Sequence, residues 1–212
     1  MFLGNNIHII SSDTMMLEAI LYLNINKNIG ITQTTIQYGN SEKNIAINHE
    51  KINKYRSIFD NPFIINDIDN IIKSNLYNSD SILNFKKDNN KTDCVIYDNH
   101  VYTKFKINEF QHFYYMCVAL NILAVDGSYI FLYKNYSKNY IYQVLYILSN
   151  YFDNIQLIKP TISPLFEYYI HCTNYKQISK DDNKKLLKIL DEWGKLNPEG
   201  GINLNYSDDK LR

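Results

Sequence analysis

Short apolar runs of strand length alternate along this chain with longer stretches in which apolar residues recur every three or four positions. NIHIISS (residues 6–12) reads as a buried strand. TMMLEAILYLNI follows, with Met16, Leu17, Ile20, Leu21 and Leu23 at helical spacing and Asp13 or Thr14 as its cap. IGITQTTIQY is a second strand, PFIIND a third opened by Pro62, TDCVIYD a fourth and SYIFLYK a fifth. Between them lie helical patterns at 50–58, in part of 69–85, and in EFQHFYYMCVALNILA, where Phe110, Phe113, Cys117, Leu120 and Leu123 share a face. Asp126-Gly127 reads as a turn before the fifth strand. Residues 140–152 give another helix, with Val144, Leu145, Leu148 and Phe152 inward.

Alternation of strands and helices predicts an α/β fold with a parallel sheet. The last two strands break that rule. IQLIKP and EYYIHCTNY are joined only by TISPLF. A parallel crossover needs a dozen or more residues, so this pair is an antiparallel hairpin. A core domain over 1–178 is expected, followed by a C-terminal helix and tail over 179–212. In that helix Leu186, Leu187, Leu190 and Trp193 form a stripe suited to docking on the body or on a partner.

Composition narrows the class. Hydrophobic residues make up 45% of the 212 and charged residues 21%, as in a globular chain. Twenty-two basic residues balance 22 acidic ones, so any nucleic-acid binding must come from a local patch. Asn, Ile, Lys and Tyr are abundant, and all four have AT-rich codons. An AT-rich virus, plasmid or protist is the expected source, and the cytoplasm or a viral or plasmid replication site the expected location. Cys94, Cys117 and Cys172 are far apart, with no CxxC pair, so buried thiols in a reducing compartment are expected and a metal site is not. His100 and His112 have no ligand spacing with them, and His8 is expected as a core or edge residue of the first strand. No basic leader and no run of about 18 apolar residues occurs, so no signal peptide and no membrane association is expected.

The chemistry concentrates at strand ends. In a parallel sheet, ligands bind outside the carboxyl ends of the strands. Asp98 ends the fourth strand and Lys134 the fifth. Glu167 starts the last, reversed strand, and so belongs to the same edge. Each has a plain reading as well: Asp98 as a turn residue, Lys134 as a strand-end lysine, Glu167 as a solvated edge. Taken together they would set an acid, an amine and an acid around one crevice.

That arrangement resembles the RNA ribose 2'-O-methyltransferases, the FtsJ-like and viral cap methyltransferases. The matching segments are DCVIYD, DGSYIFLYK and KPTISPLFEYYIHCTNYK, and the resemblance spans about 63–176. It implies a Rossmann-like methyltransferase sandwich, with a mostly parallel seven-stranded sheet in the order 3-2-1-4-5-7-6 and an antiparallel last strand. It implies S-adenosylmethionine as cofactor, RNA (a cap or ribosomal RNA) as substrate, and Asp98, Lys134 and Glu167 as catalytic residues. Lys134 would be the base or orienting group for the ribose hydroxyl. A neutral amine requires its ordinary pKa of about 10.4 to fall. Burial acts in that direction and neighbouring carboxylates act against it, so Asp98 and Glu167 suit positioning roles.

The sequence also departs from the family. Its first catalytic lysine has no counterpart before Ile7. Where the family has a glycine-rich cofactor turn, this chain reads ISSDTMM, without a glycine between Gly4 and Gly30. Ser11, Ser12 and Asp13 would line the methionine end of the cofactor, and Asp67 would hold its adenine. A second reading follows: a methyltransferase-fold subunit without cofactor, stimulating an mRNA capping enzyme or another RNA-processing partner. A plain nucleic-acid-binding domain is a third. The run YKNYSKNYIYQ mixes bases with aromatic rings as an RNA-stacking surface would, and codon bias accounts for it equally.

Overall fold

A computed structural model describes residues 4–11, 16, 19–20, 30–35, 63–66, 78–88, 91–98, 109–133, 136–159 and 168–196. Its centre is a seven-stranded sheet: β1 (Asn6–Ser11), β2 (Gly30–Thr35), β3 (Phe63–Asn66), β4 (Thr92–Asp98), β5 (Leu123–Tyr133), β6 (Phe152–Ile158) and β7 (Tyr168–Tyr175). The order across the sheet is β3-β2-β1-β4-β5-β7-β6. β1 to β5 are parallel, and β7 runs antiparallel to both β5 and β6. The hairpin forced by its short link sets β7 beside β5, in the strand order that the family resemblance implies.

Four helices are described in full: α1 (Ser79–Asp88), α2 (Glu109–Ile122), α3 (Lys138–Ser149) and α4 (Lys180–Leu196). Met16, Ala19 and Ile20 are further helical positions after β1. The 50–58 pattern lies outside the described residues. Three helices begin at a side-chain cap. The Asn78 carboxamide accepts from Ser81 N at 3.0 Å, Ser137 Oγ from Tyr140 N at 3.3 Å, and Ser179 Oγ from Asp182 N at 3.0 Å. Such caps contribute about 1 kcal/mol each.

β1 and β4 carry near-continuous apolar residues because both sheet faces are covered. On one face Val95, Tyr97, Tyr129, Phe131 and Ile170 join α1, α2, α3 and α4 in a single core. On the other, Ile7, Ile9, Ile96, Ile130 and Leu132 are buried. The one-faced pattern expected for α2 understates its surroundings. Every residue from Phe110 to Ile122 is buried. The sheet lies on one side of α2, while α1 and α4 close the others.

The stripe on α4 docks on the body. Leu186, Leu187 and Leu190 are buried, each contributing about 1.5–3 kcal/mol by leaving water. The Trp193 ring sits 5.5 Å from Phe110, 5.6 Å from Phe113 and 6.3 Å from Tyr140. Polar groups fix the register. Asn121 and Asn183 exchange reciprocal amide hydrogen bonds at 2.9 Å. The Asp191 carboxylate accepts from Ser79 N at 2.8 Å and Ser79 Oγ at 2.7 Å, closing the start of α1.

Two local readings change. Asp126-Gly127 is no turn between elements, since β5 starts at Leu123 and runs through it. Asp126 takes a φ of 65°, and the register against β4 shifts between Thr92 and Cys94, so the dipeptide forms an irregularity inside the strand. A Cβ on Gly127 would lie 2.8 Å from Ala124 O and 3.0 Å from Asp93 O, which explains the glycine. Phe152 is buried but opens β6 rather than ending a helix, because α3 stops at a C-cap on Asn150.

Candidate functional site

The carboxyl rim of the parallel strands gathers the candidate residues that the structure describes. Ser11 ends β1 and pairs in register with Thr35 on one side and Asp98 on the other. One step before Asp98, Tyr97 pairs with Phe131, so Asp98 lies level with Leu132. Leu132 in turn pairs with Tyr169 of β7, and Tyr169 with Ile158. Directly opposed residues point to the same sheet face. Ser11, Asp98, Leu132 and Tyr169 therefore share one face at one level.

Ser11 and Asp98 are 0% and 1% exposed, so a hydroxyl and a carboxylate sit side by side out of solvent. Tyr169 Oη donates to Asp98 Oδ1 at 3.4 Å, the long end of a hydrogen bond. The bond reaches across β5, over a strand-to-strand span of about 10 Å between β4 and β7. Tyr169 was missed in the sequence. Its signal is its place two residues after Glu167, obscured by the chain's 19 tyrosines.

Tyr133 ends β5 and pairs with Tyr168, the first residue of β7. In sequence Lys134 follows Tyr133, and Glu167 precedes Tyr168. Lys134 and Glu167 lie outside the described residues, as do Ser12, Asp13 and Asp67.

Behind the rim, on the opposite face, an aromatic cluster braces the β5–α3 junction. His112 lies 5.4 Å from Tyr97, 4.6 Å from Phe131, 4.9 Å from Tyr136 and 5.7 Å from Tyr140, measured between ring centres. Its Nδ1 is 2.6 Å from Tyr140 Oη, and its Nε2 has no hydrogen-bond partner among the described residues. Burial lowers the imidazole to about 3, so it is neutral at physiological pH and serves as packing rather than as an acid. Tyr133 and Tyr136 contact each other at 5.9 Å. The chain on both sides of Lys134 and Asn135 is thus anchored. Glu109 Oε1 accepts from Ser137 N at 2.9 Å, tying the start of α2 to the same junction.

Among the described residues no three His, Cys, Asp or Glu side chains group as metal ligands, and no helix is long and apolar enough to cross a membrane. Cys94, Cys117 and Cys172 are buried free thiols, raised by burial, Cys94 and Cys172 to about 12.

No family model and no curated protein matches the sequence. Solved structures do match its fold. Human methyltransferase-like protein 13, solved in complex with SAH, aligns over 99% of this chain and 94% of its own at 12% identity, with a TM-score of 0.50. A Listeria monocytogenes protein assigned to the class I S-adenosylmethionine-dependent methyltransferases aligns over 84% of this chain at 11% identity, with a TM-score of 0.52. The chain has a Rossmann-like methyltransferase fold. This chain spans 56% of the Listeria protein, so that protein carries segments with no counterpart here. A Plasmodium falciparum protein assigned as a ribosomal RNA methyltransferase aligns at 17% identity and a TM-score of 0.48, too low for its substrate to bear on this chain. In a methyltransferase fold with this strand order, the rim holding Ser11, Asp98 and Tyr169 is the edge where ligands of open α/β sheets bind.

Proposed function

We propose that this chain is an S-adenosylmethionine-dependent RNA ribose 2'-O-methyltransferase, with Asp98, Lys134 and Glu167 as its catalytic residues. One observation carries the reading: the ends of β1, β4 and β5 and the start of the reversed β7 meet at one rim, where a buried carboxylate already stands. The donor set fits the cofactor's methionine end, since a sulfonium is cationic and Asp98 is a carboxylate beside the Ser11 hydroxyl. Ser12 and Asp13 would continue that wall, and Asp67 would take the adenine.

When bound, the cofactor supplies an electrophilic methyl group on sulfur. The chain's own residues prepare the other reactant. A ribose hydroxyl is a poor nucleophile and must be held in line and relieved of its proton. Lys134 would be the base or the orienting group for that hydroxyl, with Asp98 and Glu167 as positioning carboxylates. Ser11, Ser12, Asp13 and Asp67 would hold the cofactor, which would supply the methyl group that the ribose oxygen takes up. Tyr169 fixes the Asp98 carboxylate through its hydroxyl.

Titration calorimetry of the full chain with S-adenosylmethionine is the first test, followed by transfer of labelled methyl to RNA. A 2'-O-methyl group blocks alkaline cleavage of the adjacent linkage, so the product should be alkali-resistant at that position. Lys134→Ala should abolish transfer without changing the melting temperature. An alkali-labile product, or full activity in this variant, refutes the assignment.

The glycine-free loop after β1 favours a second reading, a cofactor-less subunit that stimulates a capping or other RNA-processing partner. The sequence there has side chains at the positions where the family has glycine, and these would crowd the cofactor. No heat from the isolated chain, with stimulation of a partner's activity, would establish it.

A further inference from the structure

Among the described residues the sheet ends at β6. β6 bonds to β7 on one side, and no strand among the described residues pairs with the other. Natural edges are guarded by prolines, bulges or inward-pointing charges. From Asn154 to Ile158 this one has no proline and no charge. It also displays apolar surface, with Leu157 63% and Ile158 37% exposed. α3, which packs on β6, presents Tyr142 and Tyr146 one helical turn apart, 67% and 74% exposed. Four of the chain's exposed large apolar side chains thus lie on these two adjoining elements.

We propose that β6 pairs antiparallel with β6 of a second copy of this chain, about a two-fold axis midway between the two copies of Gln156, joining two sheets into one. The register follows from geometry and charge. Ile155 and Leu157 oppose Cys172 and Ile170, so both face the side covered by α3. An axis perpendicular to the sheet keeps each face continuous, so it must pass midway between the two copies of one residue, which then oppose each other. Centring on Ile155 sets Asp153 against Leu157 of the other copy. Centring on Leu157 sets Ile155 against Lys159. Centring on Gln156 sets Asp153 against Lys159 twice and Ile155 against Leu157 twice, matching charge with charge and apolar with apolar. Asp153 and its present partner Lys176 are both about half exposed, at 2.6 Å, so the carboxylate stays open to a second cation. A strand seam is small beside the roughly 1,200–2,000 Å² of a stable interface. α3 and its two-fold mate would flank the seam on the same face and add contact area beside it.

This inference uses none of Ser11, Asp98, Lys134, Glu167 or Tyr169 and stands apart from the proposed activity. Light scattering on the full chain at micromolar concentration should give twice the chain mass, and Leu157→Lys should halve it with the melting temperature kept. Gln156→Cys tests the register. Opposed Cα atoms in an antiparallel pair lie about 4.5–5.5 Å apart, within disulfide range, and the native cysteines are buried. Mild oxidation should cross-link Gln156→Cys and leave Ile155→Cys and Leu157→Cys largely unlinked. A monomeric wild-type chain, or linking through Ile155→Cys or Leu157→Cys instead, overturns the proposal. A monomer whose RNA affinity falls on Tyr142→Ala and Tyr146→Ala would show that this flank serves nucleic acid.

Discussion

Acid should unfold this protein through two histidines that its core keeps neutral. His8 in β1 and His112 in α2 are 1% and 0% exposed, and burial lowers each from 6.5 to about 3. Above about pH 6.5 both are neutral whether the chain is folded or not, and neither affects stability. Below it the unfolded chain protonates them while the folded chain does not. Unfolding then takes up one proton per histidine, and stability falls by about 1.4 kcal/mol per pH unit for each until pH approaches 3. By about pH 5 the loss is roughly 2 kcal/mol per histidine and roughly 4 for the pair. That is a large share of the 5–15 kcal/mol typical of a domain. Urea unfolding at a series of pH values measures it. His112→Gln should be less stable at neutral pH, because the packed ring is lost, yet its stability should fall less steeply with acid, by about one proton per molecule. Carboxylates titrate equally in both proteins and cancel in the comparison. An unchanged slope would refute neutral burial of His112.

Tyr175 Oη donates to Leu120 O and accepts from Ile178 N at 2.9 Å, linking α2 to the approach to α4. Tyr175→Phe leaves both groups without that partner and should cost about 1–3 kcal/mol in urea unfolding. Asp191→Ala removes the two bonds that close α1 at Ser79. It should cost about 1 kcal/mol, lowering the melting temperature by about 2–4 °C.

The antiparallel hairpin was legible because one link is short, whereas the strand order came from the family resemblance. TISPLF allows only a reversal, which fixes that β6 and β7 pair antiparallel but not which of them lies beside β5. Strands β1 and β4 were legible because each carries a short, near-continuous apolar run, as burial on both faces demands. The β5 start was hidden because Asp-Gly is a turn dipeptide, and only the partner strand shows that here it makes an irregularity inside a ladder. The boundary at Phe152 was hidden because Asn150, not glycine, ends α3. At the rim, Asp98 could be placed from the end of its strand. Its hydrogen bond to Tyr169 could not, because it depends on the register across β5, which is fixed by contacts far apart in sequence.

The clasp between Asp191 and Ser79 has a consequence for the order of folding. α4 leaves the ribosome after all seven strands, yet it closes the start of α1 and covers the outer side of α2. Until it emerges, Phe110, Phe113 and Tyr140 lack the indole that caps them, and a nascent chain paused after β7 presents a sticky aromatic flank to chaperones and to other nascent chains.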